Sequence, residues 1–247
     1  MPGSTARTTR ADAARERLIV ALDFPDLAAA RALVDELGDE MSFYKVGPHL
    51  FAKGLIDFIE YLVGSGKRVF LDFKSVDIGE TMRGMIARVS ALGVDFATIM
   101  GTPTTIAAAS AGRGASPKPK ILFVTLLTDH SEAEMRREYN TAKTVEEFVA
   151  ERARIAVMAG ADGVISSPRE AAAIRRAVPQ PGFLIVTPGV RPAGSAAGDQ
   201  ARIATPAAAI AAGADYLVIG RPIIRAEDRL AAARQILDEM QEALASR

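Results

Sequence analysis

The chain has 247 residues, enough for one large α/β domain or two small ones, and 49% of them are apolar, which supplies a sizeable core. Lys+Arg and Asp+Glu both number 30, so nothing in the charge balance points to a nucleic acid or an anionic membrane surface. There is no cysteine and there are only two histidines, which excludes disulfides, thiolate chemistry and Cys-based metal sites and leaves a Ser-His-Asp triad poorly supplied.

Residues 1–17 carry Arg, Ser, Thr and Ala without an apolar signal core, and read as a flexible leader. No apolar run approaches a membrane span, so a cytoplasmic protein is the simplest expectation. From Leu18 the chain alternates apolar runs with amphipathic stretches. Strands are predicted at 18–22, 42–46, 69–73, 96–100, 121–127, 163–166, 183–186 and 216–219. Helices are predicted at 26–37, 50–63, 81–92, 104–111, 145–159, 168–177, 205–212 and 226–244, with a long polar connection after the fifth strand. Near-repeats precede three strands: Ala91-Leu-Gly-Val-Asp95, Ala159-Gly-Ala-Asp162 and Ala212-Gly-Ala-Asp215. Their glycines suit helix ends. Eight strand-helix units over 18–247 predict a single-domain (β/α)8 TIM barrel rather than an open doubly wound sheet.

The third predicted strand runs into Asp72-Phe-Lys74-Ser-Val-Asp77. Side chains alternate along a strand, so Asp72 and Lys74 project the same way, while Asp77 lies past its end. In a barrel this is the C-terminal face, where active sites sit. Asp23 and Lys45 add charge at two further strand ends. Buried charge is costly unless paired, so a set of this size is read as catalytic rather than as a structural ion pair. A lysine between carboxylates stays protonated, which suits a proton donor better than a Schiff-base nucleophile. A carboxylate beside a substrate carboxylate repels it, and loss of carbon dioxide relieves the repulsion. Decarboxylation without metal or cofactor fits these residues.

Two loops read as anion sites. Thr187-Pro-Gly-Val-Arg191-Pro follows the seventh strand and Gly220-Arg221-Pro the eighth, the usual phosphate loops of barrels. Pro192 to Gln200 suits a mobile lid. His49 reads as structural, His130 as solvated, and Met82, Met85 and Met100 as core or interface.

Taken together, Ala21-Leu-Asp23, Lys45-Val-Gly47, Asp72-Phe-Lys74-Ser-Val-Asp77-Ile78, Leu126-Leu-Thr128, the Thr187 to Pro192 loop, Gly198-Asp-Gln200 and Val218-Ile-Gly220-Arg221-Pro carry a resemblance. From Leu18 to about Leu244 the chain resembles orotidine 5'-phosphate decarboxylases. The resemblance implies conversion of orotidine 5'-phosphate to uridine 5'-phosphate without cofactor or metal. It implies Lys74 as proton donor to C6 and Asp72 beside the substrate carboxylate. It places Asp23 and Lys45 at the ribose hydroxyls, Thr128 near the pyrimidine, and Arg191, Gln200, Gly220 and Arg221 at the phosphate or its closing loop. It also implies a homodimer in which Asp77, Ile78 and Thr81 reach the neighbouring subunit's site. One departure stands out: Gly79-Glu80 replaces the usual Pro-Asn. That looks like related barrels acting on sugar phosphates, so a metal-dependent keto-sugar-phosphate decarboxylase or aldolase is the alternative. Lys45 argues against it, because those relatives usually place a metal-binding Glu on the second strand.

Overall fold

The eight strands are β1 (Leu18–Ala21), β2 (Phe43–Val46), β3 (Arg68–Ser75), β4 (Phe96–Ile99), β5 (Lys120–Val124), β6 (Gly163–Ile165), β7 (Leu184–Thr187) and β8 (Tyr216–Ile219). All are parallel, and they close in sequence order, with β1 pairing β8 through Leu18 and Leu217. The structure is a computed structural model and describes residues 10–51, 54–192 and 204–246. The helices are α1 (Arg10–Arg15), α2 (Leu27–Leu37), α3 (Leu55–Gly64), α4 (Gly79–Ala91), α5 (Pro103–Arg113), α6 (Glu132–Glu138), α7 (Val145–Met158), α8 (Ala171–Ala177), α9 (Pro206–Ala211), α10 (Arg221–Ile224) and α11 (Arg229–Ala245). This is the expected (β/α)8 barrel.

The strands are apolar along their length because both faces are buried. Alternate residues go to two cores. Leu18, Val20, Tyr44 and Val69 pack outward against helices. Ile19, Ala21, Phe43, Phe70 and Phe96 fill the barrel interior. At the N-terminal mouth the Arg68 guanidinium lies 4.0 Å from the Phe43 ring centroid and 5.7 Å from those of Phe96 and Tyr216. This apolar and cationic plug closes the barrel opposite the charged strand ends.

The near-repeats do more than turn the chain. Gly93, Gly160 and Gly213 have φ of 76°, 92° and 111°, the left-handed region that glycine occupies without strain. The aspartate that follows each one clasps the preceding strand of its pair. Asp95 accepts from Val69 N–H at 3.2 Å, Asp162 from Ile121 N–H at 2.8 Å and Asp215 from Ile185 N–H at 2.7 Å. In return the backbone N–H of each Asp donates to the carbonyl of the same residue, at 2.7, 3.0 and 2.8 Å. Arg68, Arg113 and Arg175 then pair with the three carboxylates.

Four stretches differ from the sequence expectation. Residues 10–15, read as flexible leader, form α1, whose Ala14 is buried; a short amphipathic turn gains from tertiary packing what its length denies it alone. The polar connection after β5 contains α6, begun by a capping box between Ser131 and Glu134. The helix expected from Leu50 starts at Leu55, because Gly54 is left-handed at φ 91° and Pro48–Leu50 forms a separate 3₁₀ turn. The C-terminal helix expected from residue 226 starts at Arg229 as α11, with Asp228 capping it by accepting from Ala231 N–H at 2.8 Å, and the unexpected short α10 precedes it.

Candidate active site

A cavity of about 290 Å³ opens at the C-terminal end of the barrel, and the charged strand ends line it. Asp23 follows β1, Lys45 lies on β2, and Asp72 and Lys74 lie on β3. Lys45 Nζ is 3.0 Å from Asp23 Oδ1 and 3.5 Å from Asp72 Oδ2. Lys74 Nζ donates to Asp72 Oδ1 at 3.0 Å and Oδ2 at 3.1 Å. The sequence −, +, −, + therefore runs across one wall, with each like charge separated by its opposite.

Burial sets the electrostatics. Asp72 is 8% exposed and Lys45 9%. Burial works against the ionised form of Asp72, but Lys45 and then Lys74 outweigh it and hold the carboxyl below its usual range. Burial likewise works against the Lys45 ammonium, and Asp72 and then Asp23 overcome it, raising its pKa. Both central charges are thus held ionised by each other. Gly47 leaves room for them: a Cβ there would sit 3.3 Å from Lys45 Nζ and 3.4 Å from the Asp72 carbonyl oxygen.

The rest of the lining comes from later loops. Thr128 and Asp129 follow β5, Pro188, Gly189 and Arg191 follow β7, and Gly220 and Arg221 follow β8. Arg191 is buried, and its N–H donates to the Ala204 carbonyl at 2.9 Å. Gly220 is the N-cap of α10 and Arg221 its first residue. A Cβ on Gly220 would lie 3.2 Å from that of Ala21 and 3.4 Å from Asp23 Oδ2. Two cationic side chains from the later loops and the alternating charges of the early strands line the same cavity, a combination that suits a phosphorylated molecule with a reactive polar group.

A family model described as Orotidine 5'-phosphate decarboxylase / HUMPS family matches residues 16–236. The chain belongs to this family. Orotidine 5'-phosphate decarboxylase of Rhodopseudomonas palustris (strain BisA53) is 50% identical over 228 residues, 92% of this chain and 95% of that protein. Its counterpart in Methylorubrum extorquens (strain PA1) is 48% identical over 229 residues, 93% of this chain and 97% of that one. The crystal structure of orotidine 5'-phosphate decarboxylase from Lactobacillus acidophilus superposes with a TM-score of 0.79 at 36% identity, covering 91% of this chain and 98% of that chain.

Of the residues the family resemblance singled out, Asp23, Lys45, Asp72, Lys74, Thr128, Arg191, Gly220 and Arg221 share the one cavity. Asp77, Ile78 and Thr81 do not line it. Ile78 is 74% exposed, and Asp77 accepts from the Ile78 N–H at 2.7 Å. Thr81, with Glu80, lines a separate apolar groove of about 680 Å³ between α3 and α4, walled by Ile56, Ile59, Phe73 and Met85. Residues 193–200 of the expected lid, Gln200 among them, lie outside the described residues. His130, read as solvated, is instead partly buried and paired, 3.1 Å from Asp129 and 2.7 Å from Glu138. Its hydrogen bond to Asp129, and that to Glu138, raise its pKa against the opposing effect of burial. His49 lies on the surface 3.8 Å from Asp23. Sequence reading missed Thr98, a buried β4 residue that donates to Asp72 Oδ1 at 2.9 Å. A threonine among apolar strand residues gives no signal of its own until β4 is paired with β3.

Proposed function

We propose that this chain converts orotidine 5'-phosphate to uridine 5'-phosphate as a carboxy-lyase, with Lys74 as the acid and no metal or cofactor in the step. The observation that carries the reading is the −, +, −, + array, buried at Lys45 and Asp72 and ending in the partly exposed Lys74, together with relatives of that name at about half identity. Asp72, kept ionised by its two lysines, faces the substrate carboxylate and raises the energy of the bound ground state. The bond from C6 to the carboxylate carbon breaks, its electron pair stays on C6 and carbon dioxide leaves. The Lys74 ammonium stabilises the developing carbanion and gives it a proton, then regains one from water. Asp23 and Lys45 hold the ribose hydroxyls and Thr128 the pyrimidine. Arg191, Arg221, the Gly220 turn and Gln200 hold the phosphate.

The working unit in this reading is a cytoplasmic homodimer, Asp77, Ile78 and Thr81 completing the neighbour's site. What supports it is their position outside their own cavity, and the exposed apolar side chains of Phe51, Val76, Ile78 and Ile56, the last of which lines the α3–α4 groove. No helix among the described residues is long and apolar enough to cross a membrane. The metal-dependent alternative is disfavoured by the donor set. Two ammonium groups flank Asp72, and no group of three or more His, Cys, Asp or Glu among the described residues is arranged to hold a metal ion.

The purified protein should decarboxylate orotidine 5'-phosphate, read by the change in pyrimidine absorbance, at the same rate with and without a chelator. Lys74→Ala should lose at least ~10²–10⁴-fold in kcat, the usual worth of a positioned acid. Full activity in that variant would refute the assignment of Lys74, and loss of activity to the chelator would favour the sugar-phosphate alternative.

A further inference from the structure

Strand β3 is irregular where it delivers its charges. Its pairing with β4 runs from Phe70 opposite Phe96 to Leu71 opposite Ala97, then resumes at Ser75 opposite Ile99. Asp72, Phe73 and Lys74 therefore bulge against one β4 residue, Thr98. Bulges re-aim side chains, and they are rare between parallel strands. Lys74 sits in this bulge at φ 48°, the left-handed region that a side chain with a Cβ disfavours.

An N–H lifted out of the ladder needs another acceptor. Thr98 provides it: the Lys74 N–H donates to Thr98 Oγ1 at 2.9 Å, and that hydroxyl donates to Asp72 Oδ1 at 2.9 Å. The polarity of this relay has one solution. A backbone N–H only donates, an ionised carboxylate only accepts, and the hydroxyl has one proton to give. Thr98 is 2% exposed, so water does not compete for it.

We propose that Thr98 is a positioning residue whose hydroxyl holds Lys74 in its left-handed turn and Asp72 in one orientation. The catalytic ammonium then stays against its carboxylate and inside the cavity. The inference rests on the reading of Lys74 and Asp72 as the reacting pair, and the test separates the two ideas.

Thr98→Val keeps the shape but neither accepts nor donates. Its kcat on orotidine 5'-phosphate should fall ~10²-fold, as a small misplacement of a reacting group does. Its affinity for uridine 5'-phosphate should change little, because the ribose and phosphate contacts are untouched. The acid limb of its kcat profile should move to higher pH, since a carboxylate that loses a donor ionises less readily. Thr98→Ser should recover most of the rate. A merely structural role would lower thermal stability and nucleotide affinity together and leave the pH profile in place. A Thr98→Val enzyme with the wild-type kcat and pH profile, beside an inactive Lys74→Ala, would overturn the positioning role and leave the reaction standing. An active Lys74→Ala would overturn both. Should Thr98→Val fail to fold, Thr98→Ser and Thr98→Cys differ by one atom, and sulfur is a poor acceptor. Equal rates in that pair would overturn the role.

Discussion

Asp72 carries a charge that burial opposes and two ammonium groups retain. Because its folded pKa is depressed, it adds stability above the ordinary carboxylate value of about 4, and that stability is lost as pH falls through the lower folded value. Lys45 is the mirror case. Its folded pKa is raised, so its contribution is present below the ordinary lysine value of about 10.4 and is lost as pH rises through the folded value. The array is therefore at full strength between those limits. Asp72→Asn leaves Lys45 and Lys74 facing an amide, and should cost about 3–5 kcal/mol, the usual penalty for breaking a buried pair. Urea unfolding across the acid range should also show a flatter pH dependence than wild type. An unchanged acid limb would mean that Asp72 is not the group that titrates.

At the scale of elements, the three aspartate clasps tie β3 to β4, β5 to β6 and β7 to β8. Each carboxylate satisfies a backbone N–H at the start of a strand and an arginine at once. Asp162→Ala removes the acceptor for Ile121 N–H and the partner of Arg113. It should cost about 2 kcal/mol, within the range for an unsatisfied buried donor, and lower Tm by roughly 4–8 °C in a chain of this size. The clasp lies at the N-terminal end of the barrel, away from the cavity, so kcat should hold while Tm falls. Calorimetry and the decarboxylation assay on the same preparation check both. The Ala-Gly-Ala-Asp pattern was visible as repetition, and its glycines read correctly as turns. The aspartate's role was not visible, because its acceptor duty is to a strand 26 to 41 residues away in the chain.

For the whole molecule, a single chain gathers Asp23, Lys45, Asp72 and Lys74 with the later loops around one cavity, whose lining does not include Asp77, Ile78 and Thr81. A two-fold dimer that shares sites makes a definite prediction. Lys74→Ala and Asp77→Ala chains, each inactive alone, should recover roughly a quarter of wild-type activity when unfolded together and refolded at equal concentration. Half the dimers are then mixed, and one of the two sites in each is intact. Recovery of no activity from the mixture would confine each site to one chain.

The order of elements and the charged strand ends were readable because they are local. Apolar runs bounded by turns set the strands, and charge at a strand mouth is conspicuous against them. Asp23, Lys45, Asp72 and Lys74 could be named without knowing their neighbours. The same local reading placed Lys74 on a regular strand beside Asp72. It had no means of finding the bulge, the left-handed Lys74 or the hydroxyl of Thr98 that fills the gap. Those features depend on the register between β3 and β4, a long-range pairing whose offset leaves no periodic trace in either segment. Helix α1 is the same lesson at the other end of the chain: six residues too short to hold a helix by propensity become one where they are packed against the barrel.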